Sequence, residues 1–265
     1  MRHPTLILDL YKGRNEIARL LSEKDEDSLA KQYSQFLREH PEPLAKIDDS
    51  SIYLNPDDMF VSASIAVRGN MIFEEDVTKL LLMLLNEKSN FVDVGANVGW
   101  FTLLGAKKAK QVWAFEPEPA NFSLLEKSVR KNGLENVTLF PFCVSDSDGV
   151  VQLSISESSN RTTHSIVRNV GSRRIAVKSV ALDSIFPASI IDVLKIDVEG
   201  AEPLVLLGAQ RMIREKRIRN ILMEWNPEVW RDRDYLLNAF DLQNTNRKPL
   251  REIPKKFCNV YLTPK

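Results

Sequence analysis

Residues Phe91 to Thr102, reading FVDVGANVGWFT, constrain the fold more than any other part of the chain. An apolar run ends in Asp93, the turn Gly95-Ala-Asn97-Val-Gly99 follows, and an apolar stretch of helical character comes next. That order predicts a buried strand, a tight turn and the start of a helix. Glycines at 95 and 99 let the backbone pass close to a ligand. The first N–H groups of the new helix are expected to face that ligand. Asp93 beside the turn argues against a site built for pyrophosphate alone.

Val112 to Glu116 is a second short apolar run that ends in an acid. Strand, helix and strand then form one right-handed βαβ unit with parallel strands. Asp93 and Glu116 fall at the carboxyl ends of neighbouring strands, where open α/β sheets bind ligands. Glu116 can accept hydrogen bonds from both ribose hydroxyls of a nucleoside, and Pro117 and Pro119 fix the chain behind it. A nucleoside that also carries a carboxylate, an ammonium and a sulfonium suits this pair of acids, and that ligand is S-adenosylmethionine. The nicotinamide fingerprint does not fit, because Asn97 takes the middle position and Thr102 stands where its third glycine belongs. A phosphate-cradling loop would need a Gly-Lys-Ser/Thr end. A turn with no ligand is the remaining alternative.

Four segments together resemble the FkbM family: Asp93 to Gly99, Phe115-Glu-Pro-Glu-Pro119, Leu182-Asp-Ser-Ile185 and Leu194-Lys-Ile-Asp-Val-Glu-Gly-Ala-Glu202. The resemblance spans about residues 50 to 225. It implies a class I S-adenosylmethionine-dependent methyltransferase, a type that often acts on hydroxyl groups. The implied fold is α/β, a doubly wound and mostly parallel sheet with an antiparallel final strand. The cofactor is expected at Asp93, Gly95, Ala96, Asn97, Gly99, Phe101, Thr102, Glu116 and Pro117, with Asp197 beside the methyl group. In such enzymes a polar group after the third strand often meets the adenine, which points to Ser145 and Asp146.

The 265 residues suffice for one large α/β domain, expected over 46–265, with a helical appendage over 1–45. The appendage has helical spacing at Asn15 to Leu21 and Asp27 to Glu39, and carries no chemical motif. Capping the sheet, closing the pocket and a homo-oligomeric contact are all open to it. Thirty-six acids balance thirty-six bases, so no global field points to nucleic acid or a membrane. Cys143 and Cys258 both lie in apolar stretches and read as small core residues. There is no apolar run of membrane-spanning length and no N-terminal secretory pattern, so a cytoplasmic enzyme is expected.

Further elements follow from pattern. Ser51 to Val67 reads as a hairpin turning at Asn55-Pro-Asp-Asp58, and Phe73 to Asn86 as a helix. Glu74 and Glu75 at its start suit helix-dipole compensation, with a contact to the cofactor amino group as the alternative for this pair. Ala120 to Asn132 is amphipathic and stops at Gly133. Val137 to Val144 reads as the third strand. Val150 to Ile155 and Ile175 to Val180 read as a hairpin, joined by a polar segment, Ser156 to Arg174, with the composition of a lid. Ile190 to Asp197 and Ile221 to Trp225 are further strands, Gly200 to Ala209 and Asp232 to Phe240 helices. Cys258 to Thr263 closes the sheet after a loose basic connection.

Methyl transfer to a hydroxyl needs alignment, exclusion of water and removal of a proton. Asp197, at the end of its strand, is the leading catalytic candidate, with Glu199 in the following turn. His164 in the polar segment is a second base. Glu202 suits capping, and Glu224 and Asn226 suit acceptor hydroxyls. The partner is then a small-molecule or glycan hydroxyl acceptor. No spacing demands a metal, although Asp197, Glu199 and Glu224 could offer oxygen ligands. The alternatives are N-methylation of another acceptor and a non-catalytic cofactor-binding protein. A DNA amino-methyltransferase lacks support, since the turn after Asp197 is Val-Glu-Gly200.

Overall fold

In a computed structural model, the structure describes residues 44–47, 49–56, 58, 61–62, 65, 74–156, 164–230, 233–250 and 252–265. The expected helices of the appendage lie outside the described residues.

A seven-stranded sheet organises the chain. Its strands are β3 (Asn90–Val94), β4 (Gln111–Phe115), β5 (Val137–Phe140), β9 (Ile191–Ile196), β10 (Ile218–Trp225), β11 (Phe240–Asn244) and β12 (Cys258–Pro264). Their spatial order is β11-β12-β10-β9-β3-β4-β5. Neighbours from β10 through β5 are parallel, whereas β12 is antiparallel to both β10 and β11. The chain runs outward from β3 to β5, then returns to build β9 and β10 on the other side of β3. The seam between β3 and β9 is therefore the switch point at which such sheets open a crevice.

Near-continuous apolar sequence makes the central strands, because both sheet faces are covered. Phe91 and Val193 enter one core layer, while Val92, Val94, Leu194 and Ile196 enter the other. The first layer is closed by α1 (Glu75–Leu84), α2 (Trp100–Ala106) and α3 (Pro119–Lys131). On α1, Val77, Leu80 and Leu81 are buried while Glu75 pairs with Lys79 outside. The α3 helix has Pro119 in its first turn, Glu118 accepting from the Asn121 amide at 2.7 Å, and Gly133 at φ +63° after its end. The second layer is closed by α4 (Leu182–Ile185), α5 (Glu202–Gly208), α6 (Gln210–Arg214) and α7 (Arg233–Ala239).

Several expectations are corrected. Ser50–Tyr53 (β2) pairs backward with Leu44–Ile47 (β1), and Val61, Ser62 and Ile65 downstream are helical rather than extended. Asp58 accepts from the Ser62 amide at 2.7 Å, which favours a helical turn there. The predicted strand 137–144 breaks in two. Pro141 has no N–H to continue the sheet, and Cys143–Val144 (β6) pairs instead with β8 (Arg173–Val180). The expected hairpin is present, with β7 (Gly149–Ile155) antiparallel to β8. The strand β11 lies inside the segment read as a loose connection. Both cysteines are free, and Cys258 is only half-buried. Among the described residues no helix is long and apolar enough to cross a membrane.

Candidate active site

The turn after β3 is built from its own backbone. Gly95 and Ala96 both donate to the Phe115 carbonyl at 3.0 Å, and Gly99 donates to Ala96 at 2.9 Å. Val98 donates to the Asn97 side chain at 2.8 Å, and Asn97 donates to Glu116 Oε2 at 2.8 Å. Every N–H from 95 to 99 is thus spent inside the protein. The turn is not an anion cradle. Its product is a fixed Glu116, whose Oε1 also accepts from the Glu118 amide at 2.9 Å.

Gly95 stands at φ +83°, and a Cβ there would meet the Asp197 carbonyl oxygen at 1.8 Å. The glycine makes room for the neighbouring strand rather than for a ligand. Gly99, at φ +104°, lets Leu125 approach α2, since its Cβ would lie 2.6 Å from Leu125 Cδ1. Thr102 is also structural: fully buried, it donates to Asp93 Oδ2 at 2.6 Å.

One pocket crosses the carboxyl edge of the sheet. Its wall includes Glu74, Gly95, Ala96, Asn97, Phe101, Glu116, Pro117, His164, Lys195, Asp197, Glu199 and Glu224. Asp93 sits behind that wall with no exposed surface, in register with Lys195 of the next strand. The opposite flank is apolar, made by Phe142, Cys143, Val144, Leu153 and Ile166. Ser145 and Asp146 do not line it; the Ser145 hydroxyl bonds Asp146 at 3.1 Å and its amide bonds Val180 at 2.9 Å.

Lys195 links the halves of the site. Its ammonium lies 3.0 Å from Asp197 Oδ2 and 4.4 Å from the centre of the Phe101 ring. Burial opposes its charge, but Asp197, Asp93 and Glu74 outweigh burial and hold it above the usual lysine range. Around it the carboxyls are raised as well, which favours their neutral form. Burial raises Glu116 to about 8 against the pull of the Glu118 and Asn97 amides. Burial and the Asp197 charge raise Glu74 and Glu199 to about 7. Burial, then Asp197, Glu199 and Glu202, raise Glu224 to about 9. Asp93 is raised by burial, with Lys195 opposing.

The turn after β9 places Glu199 at φ +53° and Gly200 at φ +101°. Arg168 holds Glu199 through its carbonyl at 2.9 Å and its carboxylate at 3.0 Å, and the Ser165 hydroxyl bonds the same carbonyl at 3.0 Å. Glu202 accepts from the amides of Gly200 at 3.0 Å and Val198 at 3.3 Å, so it braces the turn before α5. His164 accepts the Ser156 amide on Nδ1 at 3.0 Å. In that arrangement a neutral ring carries its proton on Nε2.

Asp197, Glu199 and Glu224 bring one carboxylate oxygen each within 4.8 Å of the others. Such a set can share acceptor hydroxyls or take a divalent cation. Sequence reading gave Lys195 no role, although it precedes Asp197 by two on the strand and so shares its face. It also missed Phe142, Cys143 and Val144, because Pro141 redirects the chain.

The pocket fits S-adenosylmethionine on the chemistry of its groups. Glu116 can take two hydroxyl donors, the apolar flank suits a flat base, and the acids around Lys195 outnumber the bases. Asp93 Oδ1 is buried and without a hydrogen-bond partner among the described residues.

The methyltransferase FkbM domain profile matches residues 93–244. Hexuronic acid methyltransferase AglP of Haloferax volcanii is 35% identical over 141 residues, 51% of this chain and 56% of AglP. Methyltransferase sdnD of Sordaria araneosa is 30% identical over 199 residues, 61% of this chain and 76% of sdnD. The match therefore spans little more than half the length of AglP. A crystal structure of an FkbM methyltransferase from Methylobacillus flagellatus superposes with a TM-score of 0.46 at 18% identity, covering 67% of this chain and 44% of that one.

Proposed function

Because the chain belongs to the FkbM methyltransferase family, we propose that it methylates a hydroxyl of a sugar, glycolipid or related small molecule. One observation carries this reading: a single pocket joins Glu116, an acid fixed for a diol, to the three carboxylates at the ends of β9 and β10. S-adenosylmethionine supplies an electrophilic methyl on a sulfonium whose leaving group is neutral. Glu116 holds the ribose hydroxyls, and Phe142, Cys143 and Val144 flank the base.

The acceptor lies on the β10 side. Asp197, held by Lys195, takes the hydroxyl proton as the oxygen attacks. Glu199 and Glu224 bond neighbouring hydroxyls, and Glu224 at about 9 retains a proton to donate at neutral pH. Arg168 and Ser165, from the expected lid segment, hold the Glu199 turn in place. The name of AglP, a hexuronic acid methyltransferase, supports a sugar acceptor. A cytoplasmic setting belongs to the same proposal, as does the lack of a nucleic-acid partner, which the balanced charge supports.

Calorimetric titration with S-adenosylmethionine, followed by methyl-release assays over sugars, glycolipids and amines, tests it. Methyl release onto a hydroxyl is expected, and turnover should survive a chelator. Release onto amines alone would make the chain an N-methyltransferase. Binding without release would make it a cofactor-binding protein. A loss in EDTA restored by Mg²⁺ would assign the three carboxylates to a metal.

A further inference from the structure

We propose that Glu74 receives the α-ammonium group of the cofactor and closes the amino-acid end of the pocket. The inference rests on the reading that this pocket takes S-adenosylmethionine. Glu74 precedes the matched family region, yet it lines the same wall as Gly95, Lys195 and Asp197. The helix it introduces packs on α2 and on strands β9 and β10, which fixes the residue above the sheet edge.

Helix-dipole compensation does not explain the residue. Glu75 and Asp76 supply acid to the first turn of α1, and Glu75 is exposed against Lys79. The Glu74 side chain makes no capping hydrogen bond. Its backbone stands at φ +44° and ψ +60°, a left-handed conformation that disfavours any residue with a Cβ. A glutamate kept there carries a local penalty that a glycine would avoid, a pattern found where a side chain is needed in place.

The charges that reach Glu74 are Asp197, Lys195 and Asp93. The Lys195 ammonium is engaged by Asp197 at 3.0 Å, and Asp93 is buried with Oδ1 unbonded among the described residues. Three carboxyls thus face one ammonium, and a second cation at Glu74 would favour the charged form that burial disfavours. Position decides which cation. Glu116 ends β4 and fixes the nucleoside, while Glu199 and Glu224 gather on the β10 side as the acceptor cluster. Glu74 lines the same pocket, and the charges it feels are those of Asp93 on β3 and of Lys195 and Asp197 on β9 and at its end. A nucleoside anchored at Glu116 presents its charged amino-acid tail to the β3–β9 seam. The raised Glu74 carboxyl, at about 7, agrees with an acid awaiting a cation.

The test uses the full chain and two ligands in calorimetric titration. S-adenosylhomocysteine carries the ammonium; 5′-methylthioadenosine keeps the nucleoside and lacks the amino-acid tail. Glu74→Gln is expected to weaken S-adenosylhomocysteine about 10- to 100-fold, the range for a hydrogen bond to a charged group, and to leave 5′-methylthioadenosine unchanged. Glu74→Gly should show the same selective loss while melting no lower than the parent, since glycine adopts the left-handed conformation freely. Unchanged S-adenosylhomocysteine affinity in both variants overturns the proposal. So does an equal loss for both ligands, which would mark Glu74 as a structural residue. A parent protein that binds neither ligand would instead remove the cofactor reading itself.

Discussion

The turns after β3 and β9 lie side by side at the edge of the sheet and are held in opposite ways. Between 95 and 99 every N–H finds an acceptor within the same βαβ unit, and the result is a fixed Glu116. Between 197 and 202 the turn is held from far along the chain by Arg168 and Ser165, while Lys195, two residues before Asp197, pairs with its carboxylate. The second turn also gathers carboxyls that burial and mutual repulsion push upward. The first turn is a frame that needs no ligand to be complete. The second is charge-loaded and its geometry depends on its neighbours, which suits the side of the site that handles protons.

That contrast predicts unequal tolerance to a Cβ. Gly95→Val drives a side chain into the backbone of Asp197 and forces a left-handed valine. It should cost about 3–5 kcal/mol of stability in denaturant titration, from overpacking and backbone strain together. The loss would be one of folding, not the ligand clash that sequence reasoning expects. Gly200→Ala meets Arg168 Nε at 3.0 Å and Val229 Cγ1 at 3.2 Å, side-chain atoms that can shift. Its cost should stay near the backbone share, about 1–2 kcal/mol. Equal losses at 95 and 200 would break the comparison.

Asp197→Asn should lower turnover by about 10²–10⁴-fold, the usual worth of general-base help, with S-adenosylmethionine affinity little changed. Parent-like turnover would move proton removal to Glu199 or Glu224. Glu116→Ala should weaken cofactor binding by about 1.5–3 kcal/mol, as for hydrogen bonds involving a charged group, with folding retained. A variant that binds normally would take the ribose away from Glu116.

The smallest effect concerns pH. Glu224 rises from 4.5 in the unfolded chain to about 9 in the fold. The folded state therefore keeps a proton that the unfolded state releases. Its stabilising contribution is complete below pH 4.5 and is lost as pH rises toward 9. Between pH 6 and pH 8 the unliganded protein should lose stability, and Glu224→Gln should flatten that slope. The flattening cannot exceed about 1.4 kcal/mol per pH unit, and partial exposure of the group reduces it. Parallel slopes for parent and variant would show that the β10 side is not charge-stressed.

The legible parts of the sequence were those written in contiguous residues. FVDVG and VWAFE announced two strands, their order and the strand-end acids, because apolar runs, glycines and prolines act locally. The β11 strand was hidden because FDLQN is short, half polar and has one sheet neighbour, so little apolar pattern is required of it. The split at Pro141 was readable in principle, since a proline cannot donate within a sheet. Glu199 and Glu224 were grouped with Asp197 from the sequence; what could not be read was that Glu74 and Lys195 join them in one pocket. Each is an ordinary charged residue in its own stretch, and only the strand order brings them to one edge.

The join between β3 and β9 has a mechanical consequence. Strands β3 to β5 on one side and β9 to β12 on the other meet along this line, closed at its carboxyl end by the Asp197 amide on Val94 at 3.0 Å and the Gly95 approach to Asp197. Any molecule bridging Glu116 and Asp197 straddles that join and acts as a clasp between two halves of the sheet. Occupancy of the pocket should therefore slow hydrogen exchange at the amides of Val94 and Asp197, even though neither amide belongs to the pocket's polar contacts, and the enzyme would be stiffest at the moment it is loaded.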